Sequence, residues 1–111
     1  MQTREQVSDQ VFHVLLSLVD GPRHGYGIIQ DVVGRTGGAF TLGSGTLYSA
    51  IKRMQAKGWV ERVPAPETGD ARRKYYGLTA EGRLVVHAEA DRLATLVNYA
   101  KAKNLLQAPT D

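Results

Sequence analysis

Residues 43–82, GSGTLYSAIKRMQAKGWVERVPAPETGDARRKYYGLTAEG, decide the fold of this chain. Apolar side chains recur there at helical spacing up to Gly58, which predicts an amphipathic helix that begins at a Gly-Ser pair and ends at a glycine. An aromatic and β-branched run, a polar turn and a second such run follow, and they predict a β-hairpin. The second run opens with three consecutive cations, Arg72, Arg73 and Lys74. A helix followed by a hairpin with one basic strand is the recognition half of a winged helix-turn-helix.

The positive charge of the chain is concentrated in the same stretch. Residues 43–83 contain eight Lys/Arg and four Asp/Glu, a net charge of +4, whereas the rest of the chain sums to −1 and the whole chain to +3. A basic patch confined to one segment is typical of a surface that contacts phosphate. The charge pattern therefore favours double-stranded DNA as the partner of this segment.

The rest of the sequence completes a fold that is mostly α with a small β-hairpin: a winged helix-turn-helix plus a long C-terminal dimerisation helix. Two amphipathic segments precede the quoted stretch. Near its end, Thr79 is a predicted N-cap, and no stop signal follows before residue 106. The predicted helices cover residues 6–19, 25–35, 44–57 and 79–106, and the predicted strands cover residues 59–63 and 73–78. We expect a DNA-binding domain at residues 1–78, a dimerisation helix at residues 79–106 and a frayed tail at residues 107–111.

The helix at residues 44–57 has two distinct faces, and one of them is predicted to read DNA. The apolar face, predicted to point into the core, contains Leu47, Ala50, Ile51 and Met54. The opposite face carries small residues that permit close approach in a major groove, and the helix start suits a phosphate. In the hairpin, strand alternation makes Tyr76 the better core candidate and leaves Tyr75 at the edge of the wing. The predicted DNA contacts are Ser44, Thr46, Tyr48, Ser49, Lys52, Arg53, Arg72, Arg73, Lys74 and Tyr75. Among them, Tyr48 and Lys52 are suited to either phosphate or base-edge contacts.

The predicted C-terminal helix is longer than the rest of the fold can cover. At 1.5 Å per residue, roughly 27 residues span about 40 Å. Part of its apolar stripe is expected to pack on the first helix, and the remainder would be exposed unless a second copy covers it. We therefore predict a homodimer whose interface contains Val86, Leu93, Leu96, Val97 and Ala100.

Other functional classes lack the residues that they require. The chain contains no cysteine, which excludes disulfides and thiol catalysis. Its histidines, His13, His24 and His87, lack metal-site spacing, and residues 38–44 resemble the start of a phosphate loop without its lysine. We therefore predict neither an enzyme nor a cofactor or metal site. With no apolar run long enough for a membrane span and no export signal, we expect a cytoplasmic protein without membrane contact.

Short motifs occur in a characteristic order along residues 11–100. They are Leu15-Leu16, Asp20-Gly21-Pro22, His24-Gly25-Tyr26, Gly45-Thr46-Leu47-Tyr48, Gly58, Arg73-Lys74-Tyr75-Tyr76, Leu78-Thr79 and Gly82. In this order they resemble the PadR family of bacterial transcriptional regulators, and the length resembles its short subfamily. The resemblance implies a dimeric winged-helix repressor, an operator with two-fold symmetry and a small-molecule effector. Some short members bind planar drugs through a tryptophan on the terminal helix, whereas the only tryptophan here is Trp59, on the first predicted strand.

Together, the residues and the resemblance predict a sequence-specific DNA-binding repressor that acts as a homodimer. Its helix at residues 44–57 is expected in the major groove, and its wing at residues 64–74 on the backbone or in the minor groove. A winged-helix protein-interaction module without DNA binding remains the alternative. The two differ in their response to salt, because a protein that neutralises phosphates loses affinity steeply as the salt concentration rises.

Overall fold

A computed structural model of the chain describes residues 7–106. The elements follow in the order α1 (Asp9–Ser17), β1 (Arg23–His24), α2 (Gly25–Arg35), α3 (Ser44–Ala56), β2 (Val60–Val63), β3 (Tyr75–Leu78) and α4 (Ala80–Ala102). This order confirms the predicted mostly α fold with a hairpin and a long last helix. The predicted tail at residues 107–111 and the predicted first residue of the first helix, Gln6, lie outside the described residues.

The sheet contains a strand that was not predicted. β1 pairs antiparallel with β3, so that Arg23 lies opposite Tyr76 and His24 opposite Tyr75, and β2 pairs with the other edge of β3. A strand of two residues has no alternation of its own, and it forms here because β3 offers its free edge to the chain entering α2. The pairing places the start of α2 beside the wing.

A glycine ends α3 one residue earlier than predicted. Gly58 has a φ of +78°, which a glycine adopts without strain. The amides of Gly58 and Trp59 donate to the carbonyls of Gln55 and Met54 at 3.0 and 2.9 Å. These two bonds form a Schellman motif, which turns the chain directly from α3 into β2.

The start of α4 agrees with the sequence and its end does not. Thr79 is the N-cap, as predicted, and its hydroxyl accepts a hydrogen bond from the Gly82 amide at 2.9 Å. The helix stops at Ala102 rather than at residue 106. Asn104 has a φ of 59°, and the amide of Leu105 returns to the carbonyl of Ala100 at 3.0 Å, so a second Schellman motif closes this helix.

The core lies where the first three helices meet the sheet. The predicted core residues of α3 are confirmed, since none is more than 1% exposed: Leu47, Ala50, Ile51 and Met54. The residues that surround them are Val14, Leu15 and Leu18 of α1, Ile28 and Val32 of α2, and Trp59, Val60, Tyr76 and Val86. Because this face of α3 is fully occupied, only its opposite face is available to a partner.

Only the first half of α4 packs closely on the rest of the chain. Its buried residues are Gly82, Val86 and Glu89, and none of its residues from 90 to 102 is buried. The prediction that Val86 lies in a dimer interface is wrong, because this side chain is 4% exposed and belongs to the core of its own chain. The other predicted interface residues differ in exposure: Leu96 and Val97 are 48% and 42% exposed, and Leu93 and Ala100 are partly buried.

The buried carboxylate of Glu89 is paired on its own helix. Arg92 donates to its two oxygens at 2.9 and 2.6 Å. Among residues 7–106, no group of three or more His, Asp or Glu side chains is placed to hold a metal ion. No helix in this described range has both the length and the apolar character needed to cross a bilayer.

Candidate nucleic-acid interface

The face of α3 opposite the core is exposed and polar, and the residues at its centre are small. The six predicted DNA contacts on this helix are all exposed to solvent: Ser44, Thr46, Tyr48, Ser49, Lys52 and Arg53. Gly45 lies in the middle of this face, and no atom comes within 4 Å of a Cβ placed on it. A helix of about 10–12 Å diameter fits a major groove about 12 Å wide, provided that the inserted face carries no bulky centre. α3 meets this condition.

A groove separates α3 from the hairpin, and we call it the α3–wing groove. It has a volume of about 580 Å³, and its polar lining residues are Tyr48, Ser49, Lys52, Gln55, Arg62 and Lys74. The groove brings the predicted contact Lys52 on α3 together with the predicted contact Lys74, which immediately precedes β3. Two of its residues, Gln55 and Arg62, were missed by the sequence reasoning. The signal for Arg62 was present, since strand alternation puts it on the same face of β2 as the buried Val60.

Arg73 points away from this groove, toward the start of α2. Its Nη1 lies 3.3 Å from Nδ1 of His24, and its guanidinium carbon lies 5.8 Å from the centre of the Tyr26 ring. A small cleft of about 190 Å³ lies here, lined by His24, Gly25, Tyr26, Tyr48, Arg73 and Lys74. Lys74 therefore borders both the cleft and the α3–wing groove, whereas Arg73 borders the cleft and not the groove.

Arg72 lies at the tip of the wing, next to an ordered turn. Its side chain is 91% exposed, and its Nε lies 3.2 Å from Oδ1 of Asp70. The same carboxylate oxygen also accepts the backbone amide of Arg72 at 3.0 Å. These hydrogen bonds lower the pKa of Asp70, so the carboxylate stays ionised and keeps the turn in place.

The prediction that Tyr75 contacts DNA is wrong. The side chain is 5% exposed, and its hydroxyl accepts a hydrogen bond from the Asp70 amide at 3.0 Å. Its ring packs edge-on against His24, with the ring centroids 5.3 Å apart. Tyr75 is buried because the side chain of His24, on the unpredicted strand β1, and the wing turn cover its ring and hydroxyl. Tyr76, on the opposite face, is in the core as predicted.

His24 connects the start of α2 to the wing. Its Nδ1 accepts a hydrogen bond from the Gly27 amide at 2.9 Å, which makes His24 the N-cap of α2. Partial burial, followed by the positive charge of Arg73, lowers the pKa of His24, while Asp70 acts in the opposite direction. A proton on Nδ1 would remove the cap and place a second positive charge beside Arg73.

This arrangement predicts a loss of stability in mild acid that depends on His24. The folded protein resists protonation of His24, so its contribution to stability is complete above about pH 6.5 and is lost as the pH falls through the lowered pKa. We expect His24→Asn, which retains a capping oxygen but does not titrate, to lose less stability than the wild type between pH 7 and pH 5. Urea unfolding at pH 7, 6 and 5 measures the difference. His87→Asn, at an exposed position on α4, is the matched control and should behave as the wild type does. Equal pH dependence in wild type and His24→Asn would contradict the prediction.

Comparison with known proteins identifies the family. Residues 14–88 match the transcriptional regulator PadR-like family. The chain belongs to this family. It is a family of transcriptional regulators rather than of enzymes, and the match includes α2, α3 and the whole hairpin.

This PadR-like chain is similar to one curated bacterial relative and to two solved structures of bacterial proteins. It is 38% identical over 94 residues to an uncharacterized 37.1 kDa protein in transposon TN4556 of Streptomyces fradiae, a match that covers 82% of the chain and 25% of the relative. The chain thus spans about a quarter of the length of that relative. A PadR family transcription regulator from Clostridium difficile R20291 is 28% identical, with a TM-score of 0.70 and coverage of 83% of this chain and 94% of the other. Bacillus subtilis PadR, in complex with operator DNA, shares the fold at 19% identity, with a TM-score of 0.61 and coverage of 92% and 50%.

Proposed function

We propose that this chain is a homodimeric transcriptional repressor that binds duplex DNA in a sequence-specific manner. In this proposal α3 enters the major groove, and the wing at residues 64–74 lies on the backbone or in the minor groove. One observation carries the proposal: the exposed face of α3 and two cations of the hairpin, Arg62 and Lys74, border one groove, and the residues that line it include no Asp or Glu. Such a surface attracts phosphate. The operator complex of the Bacillus subtilis protein supports DNA as the partner for this fold.

The two parts of the interface would contribute differently to binding. The cations on and beside the hairpin supply affinity that does not depend on sequence, because phosphate is the same along the duplex. The face around Tyr48, Ser49 and Lys52 is left to contact base edges. Residues 1–78 would then form the DNA-binding unit, and residues 79–106 the dimerisation element.

The dimer is proposed from the second half of α4. Leu96 and Val97 expose apolar surface on a helix segment without buried residues, and a second copy would cover them. A two-fold dimer presents two copies of α3, which read half-sites about 34 Å apart on an operator with matching symmetry. Such a dimer bound at a promoter would repress transcription by occupying it.

The proposal includes a small-molecule effector that releases the DNA. Its support is a pocket of about 330 Å³ at the start of α4, lined mainly by apolar side chains, among them Trp59, Leu84 and Val85. This volume is in the range of small-ligand sites. Trp59 joins the end of α3 to β2, so a ligand beside it would contact the segment that positions the DNA-reading helix.

The proposed function predicts that Arg73→Ala weakens binding to all duplexes by a similar factor, about tenfold. The reason is the loss of one phosphate contact per protomer, two per dimer, which also reduces the salt dependence of log K by about 1.8. Fluorescence anisotropy between 50 and 300 mM salt measures both quantities, with one duplex selected from a random library and one unrelated duplex. Lys101→Ala, at an exposed cation in the last turn of α4, is the matched control and should leave both quantities unchanged.

The alternative function is distinguished by the same titrations. Ser49→Arg is expected to change which duplex is selected, because Ser49 lies on the face of α3 that would meet base edges. Failure of the wild type to enrich any sequence, or an affinity that does not respond to salt, would favour a protein-interaction module and contradict DNA binding.

A further inference from the structure

We propose that the α3–wing groove holds the sugar–phosphate backbone of one DNA strand and that Arg62 binds a phosphate within it. This inference rests on the proposed function and deepens it, because it assigns a contact residue and a place for the strand that borders the major groove. Neither the motifs that resemble the PadR family nor the predicted DNA contacts include Arg62.

Strand geometry separates the two charges of β2. Arg62 lies opposite Tyr76 and Glu61 opposite Gly77 in the pairing with β3. Successive side chains of a strand point to opposite faces, so Arg62 shares its face with Val60 and Tyr76. Both are in the core beneath α3, at 3% and 5% exposure. The cation therefore points to the side of α3, and the carboxylate of Glu61 points away from it.

The groove collects cations from three segments that are distant in sequence. Lys52 comes from α3, Arg62 from β2 and Lys74 from the segment just before β3. Like charges placed along one groove repel each other, and a polyanion in the groove would relieve that repulsion. The neutral donors Gln55 and Ser49, which also line it, can hydrogen-bond phosphate oxygens.

Among residues 7–106, the three cations of this groove have no carboxylate partner, whereas most arginines outside it do. Within residues 7–106, ion pairs engage the side chains of Arg23, Arg35, Arg72, Arg73 and Arg92. In the same described part of the chain, Lys52, Arg62 and Lys74 form none. An exposed arginine without a carboxylate keeps its planar fork of N–H donors available, and that fork matches the oxygens of a phosphate.

The position of the groove favours a DNA strand over a free anion. One wall is the side of α3, next to the face proposed to enter the major groove, and the other wall is the hairpin. A strand that borders a major groove occupied by α3 must pass between these two walls. Its phosphates would meet Arg62 at any base sequence, so Arg62 sets how the protein sits on the duplex and does not choose the sequence.

Arg62→Ala tests the assignment with the selected and the unrelated duplex. We expect about a tenfold loss of affinity for both duplexes. Because one phosphate contact is lost in each protomer of the dimer, the salt dependence of log K should be reduced by about 1.8. Arg62→Lys should recover part of the loss, because it retains the charge without the planar fork. Arg83→Ala, at an exposed arginine in the first turn of α4 outside the groove, is the matched control and should bind as the wild type does. Thermal midpoints of all variants confirm folding, and Arg62→Gln replaces Arg62→Ala if the alanine variant does not fold.

Neutral methylphosphonate substitutions, made one position at a time, locate the phosphate. When the contacted phosphate is neutralised, the wild type should lose affinity. Arg62→Ala, which has already lost that contact, should lose little further affinity from the same neutralisation. A purely structural role of Arg62 would not produce this coupling between residue and phosphate. Wild-type affinity and salt dependence in Arg62→Ala, with no coupled phosphate, would overturn the inference and leave the proposed function standing. A wild type that binds no duplex would overturn both. If inorganic phosphate displaced the bound duplex as well as unlabelled duplex does at the same phosphate concentration, the groove would be assigned to a free anion. That result would overturn the proposal that it holds a DNA strand.

Discussion

Gly82→Ala is expected to destabilise the protein by about 3 kcal/mol, because the new methyl group has no space. A Cβ on Gly82 would overlap the carbonyl oxygen of Trp59. That carbonyl is held in place, since it accepts the Thr79 amide at 3.0 Å, and the Thr79 hydroxyl donates to the carbonyl of Gly58 at 2.6 Å. To make room for the methyl group, the start of α4 would have to move away from Trp59, and these two hydrogen bonds oppose that movement. Urea unfolding measures the loss, which corresponds to a fall in Tm of about 15 °C for a domain of this size.

Gly34→Ala is the matched control for this substitution. Gly34 also lies in a helix, but it is exposed, and no atom lies within 4 Å of a Cβ placed on it. Alanine lowers the entropy of the unfolded chain, so this variant should be more stable than the wild type by about 0.5 kcal/mol. Equal stabilities of Gly82→Ala and Gly34→Ala would show that α4 can shift away from Trp59 without cost, and the close approach at Gly82 would then have no energetic importance.

Val97→Asp is expected to convert the proposed dimer to a monomer and to weaken binding to a two-half-site operator by about 100-fold. The substitution places a carboxylate in an apolar contact between copies, where it has no partner and loses its hydration. A monomer engages one half-site at a time and loses the effective concentration that linkage of the two sites provides. Sedimentation velocity at micromolar protein measures the first effect, and anisotropy with duplexes of two half-sites and of one half-site measures the second. Affinity for the single half-site should change little.

Asn98→Asp provides the comparison on the same helix. It adds the same charge one residue further along, at an exposed position that points away from Leu93, Leu96 and Ala100. This variant should remain a dimer with wild-type affinity for the operator. If Val97→Asp also sediments as a dimer, the second half of α4 is not the dimer interface, and the wild-type molecular mass decides whether a dimer exists at all.

Much of the candidate interface was predictable because one segment determines it. The spacing of Leu47, Ala50, Ile51 and Met54 defines the buried face of α3, and the opposite face follows from the helical repeat alone. The six contacts predicted on α3 are accordingly exposed. The same locality explains Thr79, whose hydroxyl caps a helix that begins at the next residue.

The errors occurred where distant segments meet. Arg62 is absent from the predicted contacts because only the packing of β2 beneath α3 brings it beside Lys52 and Lys74. Tyr75 was placed among the DNA contacts because its alternation with Tyr76 was interpreted for a free hairpin, whereas β1 and the wing turn cover it. Val86 was assigned to a partner copy because its stripe continues along α4, whereas the core of its own chain reaches that far.

The sequence by itself determined the helices, the hairpin, the inner face of α3 and the concentration of positive charge at residues 43–83. These features depend on the repeat of a helix or strand and on residues within one or two turns of each other, so they can be recognised without knowing the fold. Only the tertiary structure decided which cations share a groove, which tyrosines remain exposed and where α4 leaves the core. Those outcomes depend on which surfaces become buried when segments far apart in sequence pack together, and the periodicity of a single segment contains no information about its neighbours.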